Sequence, residues 1–209
     1  MDTLLLRLIA PMQAWGVQSR YNPRDTGREP SKSGVIGLLC AALGRPRWQS
    51  VADLAVMRMG VRVDREGRLQ TDYQTVCEPV KSVSQRDYLA GAAFLVGLEG
   101  DLALLEELYK ALQQPRWMLY LGRKAFPPAE PIWLPNGLRR GEHLLLALNA
   151  YPRLTQAQKD GDAKLRLVLD DPQNGEQVIS DVPVSFAERR FLPRRVHTLF
   201  ADVPLGTGG

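Results

Sequence analysis

The sequence predicts an α+β fold on the split βαβ, ferredoxin-like plan, with a smaller β-rich part towards the C-terminus. Three observations carry this expectation. Segments with strand and helix patterning follow one another as strand, helix, hairpin-like strands, strand, helix and short strand. Both principal helices carry their own start and stop signals. Beyond Pro127–Pro135 the pattern becomes β-rich, so residues 1–128 are expected to form the ferredoxin-like domain and 129–209 the smaller region with a basic tail.

Thr3–Ala10 reads as a central apolar strand, stopped by Pro11, which has no N–H for a sheet ladder. Gln13–Pro30 is polar, rich in Arg, Gly and Pro, and aperiodic, so it reads as a long loop. Ser31 then suits an N-cap, with Val35, Leu38, Leu39 and Ala42 on one helix face that Gly44 and Pro46 end. Ser50 is expected to cap a short helix through Val56. Met57–Val63 and Arg68–Val76 flank Asp64-Arg65-Glu66-Gly67, a tight-turn signature, and read as a hairpin. Cys77–Gln85 is polar and irregular, while Arg86–Leu98 reads as one strong strand. Asp101 caps a helix with Leu105, Leu108 and Leu112 on one stripe, ending before Pro115. Trp117–Leu121 reads as a short strand leading into the basic turn Gly122–Pro128. Leu144–Tyr151, Lys164–Asp170 and Gln177–Val184 read as strands, followed by a basic tail over Glu188–His197 and a fraying terminus.

The composition excludes several classes. With 44% apolar and 24% charged residues over 209 positions, the chain has the balance of a globular protein with a sizeable core. No apolar run approaches the ~20 residues of a membrane-spanning helix, and the N-terminus lacks signal-peptide character. The two cysteines, Cys40 and Cys77, support neither a disulfide framework nor a zinc site. A cytoplasmic location without metal or cofactor is the expectation. The net charge is +4, and 21 of the 27 basic residues are Arg. Residues 1–48 hold seven bases and three acids, and 186–209 hold four bases and two acids, so the excess sits at the two ends. If those ends meet they form one basic face, though a solvated surface explains the same numbers.

Catalytic patterns are absent. His143 and His197 are the only histidines, and neither lies in a nucleophile or metal-ligand motif. Gly27-Arg28-Glu29-Pro30-Ser31-Lys32-Ser33 lacks the second Gly that a phosphate-binding P-loop needs before its Lys. What survives is a helix start with Ser31, Lys32 and Ser33 that is ready for an anion, but taken by itself it reads as an ordinary capped helix with a solvent-facing Lys. Gly122, Arg123 and Lys124 form a basic turn that reads equally as a partner-facing surface or as a loop with two solvated bases. Arg62, Arg65, Arg68, Tyr73, Arg86 and Tyr88 interleave cations and rings along the hairpin, which suits a single-strand binding surface or the wet face of a sheet.

Four segments together remove much of this ambiguity. They are Pro11-Met12-Gln13-Ala14-Trp15-Gly16, Thr26-Gly27-Arg28-Glu29-Pro30-Ser31-Lys32-Ser33-Gly34-Val35-Ile36-Gly37-Leu38-Leu39, Tyr120-Leu121-Gly122-Arg123-Lys124 with Pro127-Pro128, and Glu188–His197. In these segments, spread over nearly the whole chain, the sequence resembles the CasD family, the five-family Cas proteins of the repeat-associated (RAMP) superfamily found in the type I-E CRISPR interference complex, Cascade.

That resemblance implies a ferredoxin-like domain with a projecting hairpin, the thumb, at about residues 60–86. It implies a non-catalytic subunit for antiviral defence that holds the 5′ handle of CRISPR RNA (crRNA) and caps that end of the complex. A CasC backbone subunit, the large CasA subunit and, in the assembled complex, target DNA are the implied neighbours. By carry-over, Gln13 and Trp15 lie beside the handle, Lys32 and Ser33 contact its phosphates, and Arg123 and Lys124 match the basic turn. Arg28, Tyr120 and Gly122 belong to the same motifs, and Tyr73, Arg86 and Tyr88 to the hairpin's contribution. The alternative is a metal-independent endoribonuclease that cuts the repeat, with His143 or His197 and Lys124 as acid/base groups. In the family's type I-E complexes that work belongs to a separate subunit, CasE.

Overall fold

The computed structural model describes residues 1–16, 24–76, 82–155 and 164–204. In chain order the elements are β1 (Asp2–Ile9), β2 (Met12–Gln13), α1 (Lys32–Leu43), α2 (Ala52–Ala55), β3 (Arg58–Arg65), β4 (Arg68–Val76), β5 (Ser82–Ala90), β6 (Ala93–Gly100) and α3 (Leu102–Gln113). They continue with β7 (Trp133–Arg139), α4 (Leu144–Ala150), β8 (Leu165–Asp170), β9 (Gln177–Ser185) and β10 (Arg190–Ala201). Among the described residues no helix is long and apolar enough to cross a membrane.

Seven strands make one antiparallel sheet in the order β7-β1-β6-β3-β8-β10-β9. Its first four members, β7-β1-β6-β3, have the spatial order expected of a split βαβ unit. β1 is an almost unbroken apolar run because both of its faces are covered. Leu4, Leu6 and Leu8 join one core with α1 and α3, while Leu5 joins a second core beneath α4. The strands after residue 128 extend this same sheet, with β7 on β1 and β8 on β3.

The helix signals work as their chemistry demands. Ser31 Oγ accepts the Gly34 N–H, and Gly44 closes α1 in the left-handed region at φ 73°. Asp101 accepts from the Leu104 N–H at 3.1 Å, and Leu105, Leu108 and Leu112 are all buried. For the short α2, Val51 occupies the N-cap position, and Ser50 Oγ accepts the Ala52 N–H at 3.4 Å.

Six expectations are corrected. β3 and β4 are not a hairpin: β3 lies between β6 and β8 in the large sheet, and β4 pairs with β5 in a second sheet of order β2-β5-β4. The projecting hairpin is therefore 68–90 rather than about 60–86. Arg86–Leu98 is not one strand, because it breaks at Gly91 (φ 68°) into β5 and β6. Gly67 (φ 74°) turns the incoming strand against the same place, where an added β-carbon would lie 2.8 Å from Ala92 Cβ. Trp117–Leu121 is irregular, and Leu144–Ala150 is helix α4 instead of a strand. Most of the basic tail is β10, paired with β9 over Arg190–Val196 and with β8 from Val196 onward. Of the expected irregular stretch Cys77–Gln85, residues 77–81 lie outside the described residues, and Ser82–Gln85 are strand, the start of β5.

Arg62, expected on the hairpin, is fully buried. Its guanidinium pairs with Asp64 at 2.7 Å and donates to the carbonyls of Leu148, Tyr151 and Pro152. It thus closes the C-terminal end of α4, where unsatisfied carbonyls accumulate.

Candidate nucleic-acid interface

Three of the four sequence motifs meet around Trp15. Gln13, fully buried, donates through Nε2 to the carbonyls of Leu8 (3.2 Å) and Ala92 (2.9 Å), and its Oε1 accepts the indole N–H of Trp15 at 3.2 Å. The Trp15 N–H donates to Thr26 Oγ1 at 2.8 Å, and its carbonyl accepts the Gly27 N–H at 3.0 Å. The indole lies under the first turn of α1, where a β-carbon at Gly34 would come within 2.8 Å of the ring. The basic turn completes this joint: Ala14 N–H donates to the Leu121 carbonyl at 3.2 Å, and Gly122, at φ 89°, leans on Ala14.

A cation cluster sits on this joint, at the root of the β4–β5 hairpin. Arg24 bridges to β5, donating its N–H to the Gln85 carbonyl (2.9 Å) and accepting the Asp87 N–H (2.8 Å). Arg123 donates to the carbonyls of Asp87 at 2.8 Å and Arg24 at 3.3 Å. Its guanidinium lies 5.6 Å from the Phe126 ring centre, and Phe126 packs on Tyr88 at 5.9 Å. Burial, then the neighbouring Arg86 and Arg24, push the Arg123 guanidinium below the usual arginine range. Arginine stays charged all the same, and the carboxylates of Asp87 and Asp72 offset part of the repulsion among the three cations. Among the described residues no carboxylate forms an ion pair with Arg24, Arg28, Arg86 or Lys124. A surface of this kind positions phosphates, and Tyr88, half-buried and packed on Phe126, offers a ring beside it; Tyr120 is half-buried just before the basic turn.

The remaining expected site residues divide. Arg28 and Lys124 are exposed, and Arg86 is half-buried near Arg123. Tyr73 is exposed but lies on the opposite face of the hairpin: it pairs with Gln85, whereas Arg86 pairs with Asp72, one step out of phase. Gln13 and Trp15 are interior, so they shape the surface without presenting a side chain to it. Lys32 is the clearest correction. Its ammonium is held by Asp170 at 3.1 Å with both side chains nearly sealed from solvent. The free N–H at the start of α1 is occupied too, because Lys32 N–H donates to Asp181 Oδ2 at 2.7 Å. Arg194 joins the two carboxylates, donating to Asp181 from Nε at 2.6 Å and pairing with Asp170. An internal carboxylate has therefore filled the anion site that the helix start advertised. Ser33 Oγ turns inward to Ser31 Oγ at 3.4 Å.

Sequence reasoning missed Arg24 and Phe126 as members of the cluster, and no local signal distinguishes either. His143 is the N-cap of α4, its Nδ1 accepting the Leu146 N–H at 3.4 Å. His197 Nδ1 is buried without a hydrogen-bond partner in β10. Among the described residues no group of three or more His, Cys, Asp or Glu is placed to hold a metal ion.

Comparisons with known proteins point one way. A family profile described as CRISPR-associated protein (Cas_Cas5) matches residues 3–197. The chain is 35% identical over 155 residues, 63% of this chain and 69% of the relative, to the CRISPR system Cascade subunit CasD of Escherichia coli strain K12. It resembles a crystal structure described as a Cas protein, at TM-score 0.86 and 47% identity, over 99% of this chain and 100% of that one. It also resembles a chain of a CRISPR RNA-guided surveillance complex, at TM-score 0.80 and 31% identity, over 99% of this chain and 94% of that one.

Proposed function

Since the chain belongs to the CRISPR-associated Cas5 family, we propose that it is a non-catalytic, RNA-binding subunit of a Cascade-type surveillance complex, gripping the 5′ handle of crRNA and capping that end of the assembly. The observation that carries this reading is the cluster of Arg24, Arg86 and Arg123 at the root of an exposed hairpin. The cluster offers charge to phosphates, and Tyr88 and Phe126 give it rigid ring surfaces beside that charge. A handle held there leaves the hairpin free to lie across the strand. CasC and CasA subunits are the protein neighbours of this reading, and target DNA is met through the guide, whose base pairing reads sequence.

Co-expression with a CRISPR array and the neighbouring subunits tests it. The expected result is a fixed-length RNA end that co-purifies with this chain and is lost with Arg123→Glu while the fold persists. Retention of that RNA by the variant places the grip elsewhere. Specific metal-independent cleavage of repeat RNA by the purified chain, abolished in His197→Ala, overturns the non-catalytic assignment.

A further inference from the structure

A second site shares no lining residue with the cation cluster. A cavity of about 460 Å³ opens between the start of α1, the α2–β3 connection and the β8, β9 and β10 strands. Its volume falls within the range of ligand-sized pockets. Lys32, Asp170 and Arg194 line it, and all three side chains are at least nine-tenths buried. The Lys32 ammonium has three donors, and only the one directed at Asp170 is taken by a described residue. The Asp170 carboxylate, by contrast, is filled by Lys32, Arg194 and the Met59 N–H. What the polar lining lacks is an acceptor.

The walls and rim narrow the ligand further. Arg195, exposed at the mouth, has no ion-pair partner among the described residues. Val56 and Val178, 79% and 59% exposed, add aliphatic surface beside Met57. None of the residues lining the cavity is aromatic. Single-stranded nucleic acid is gripped by stacking as well as by charge, and this lining has no ring to stack on. A carboxylate flanked by aliphatic groups satisfies both the spare donors and the apolar walls.

We propose that this cavity is a docking pocket for an acidic side chain carried between aliphatic residues on a neighbouring polypeptide. The carboxylate reaches Lys32 and Arg195, and its aliphatic neighbours cover Val56 and Val178. This goes beyond the RNA-binding reading and does not rest on it, since it is testable on the isolated full chain.

The test follows the ¹³C-labelled methyl of Met57, which lines the cavity, while the chain is titrated with the peptide acetyl-Val-Leu-Glu-Leu-Val-amide. Parallel arms use the same peptide with Glu replaced by Gln, and a five-nucleotide single-stranded RNA. The expected result is a saturable shift of the methyl with the acidic peptide, weakened at least fivefold by the Gln peptide. Arg195→Glu and, separately, Val178→Asp are expected to weaken it by a similar factor. Both positions are exposed, so neither change needs the core to move. No shift, an equal response to the Gln peptide, or a response only to the RNA overturns the proposal.

Discussion

Gly122 and Ala14 approach so closely that a β-carbon on Gly122 would lie 1.7 Å from the Ala14 carbonyl oxygen. This contact locks the basic turn onto the segment after β2 that carries Trp15. Gly91 makes the useful control: its φ is also positive, at 68°, but an added β-carbon meets nothing within 4 Å. Gly91→Ala is expected to cost about 1 kcal/mol, the penalty of the left-handed conformation alone. Gly122→Ala adds displacement of backbone and is expected to cost about 3 kcal/mol or more. Urea unfolding of the two variants reads the difference, and equal costs would contradict the close approach.

Of two cations that the motifs place at the RNA, Arg123 stands in the cation cluster and Lys32 is sealed on Asp170. Lys32→Met leaves Arg194 shared between the buried carboxylates of Asp170 and Asp181, and is expected to cost about 3–5 kcal/mol of stability. RNA affinity of the folded fraction is expected to stay within twofold. Arg123→Ala is expected to reduce RNA affinity about tenfold and to lower the salt slope by ~1. Filter binding at several salt concentrations separates the two.

The phase of the β4–β5 pairing separates two tyrosines. Tyr88 sits with Phe126 beside the cation cluster, and Tyr73 faces away from it. Tyr88→Ala is expected to weaken RNA binding by about 1 kcal/mol or more, the scale of a lost stacking platform. Tyr73→Ala is expected to leave it unchanged. The same binding assay decides, and a loss in Tyr73→Ala alone reverses the assignment of faces.

Cys40 sets a pH dependence. Burial pushes its thiol up from 9.0 to about 11, so the folded state favours the neutral form. The resulting stability is fully present below the pH at which the unfolded thiol ionises, near 9, and is lost as pH rises towards 11. Between pH 8 and 10.5 the wild type should lose about 1–2 kcal/mol more than Cys40→Ala, measured by denaturant midpoints. In the Cys77→Ser background, the remaining thiol should also resist alkylation at pH 8.

The two capped helices are legible in the sequence because their signals are local. Ser31, Asp101 and Gly44 each act within four residues of where they stand. α4 reads as a strand because Leu144–Ala150 is short and leucine-rich, so its periodicity does not separate helix from strand, and its His143 cap is an uncommon one. The strand exchange at Gly67 and Gly91 is hidden because a tight-turn signature says where a chain bends, not which sheet it enters next. For the site, the motifs do mark the right neighbourhood, since the segments around Trp15, Thr26 and Gly122 touch. The roles within it are illegible. Lys32 is answered by carboxylates 138 and 149 positions away, and nothing beside it in sequence reveals that.

The paired glycine corners bring both strands of the hairpin out of and back to the body beside Ala92, and β2, Arg24 and Arg123 hold only its root. An insertion of equal length in β4 and β5 therefore lengthens the arm by about 3.4 Å per added pair and leaves every register in the seven-stranded sheet as it was. Reach can drift between lineages, or be set by an engineer, independently of the core.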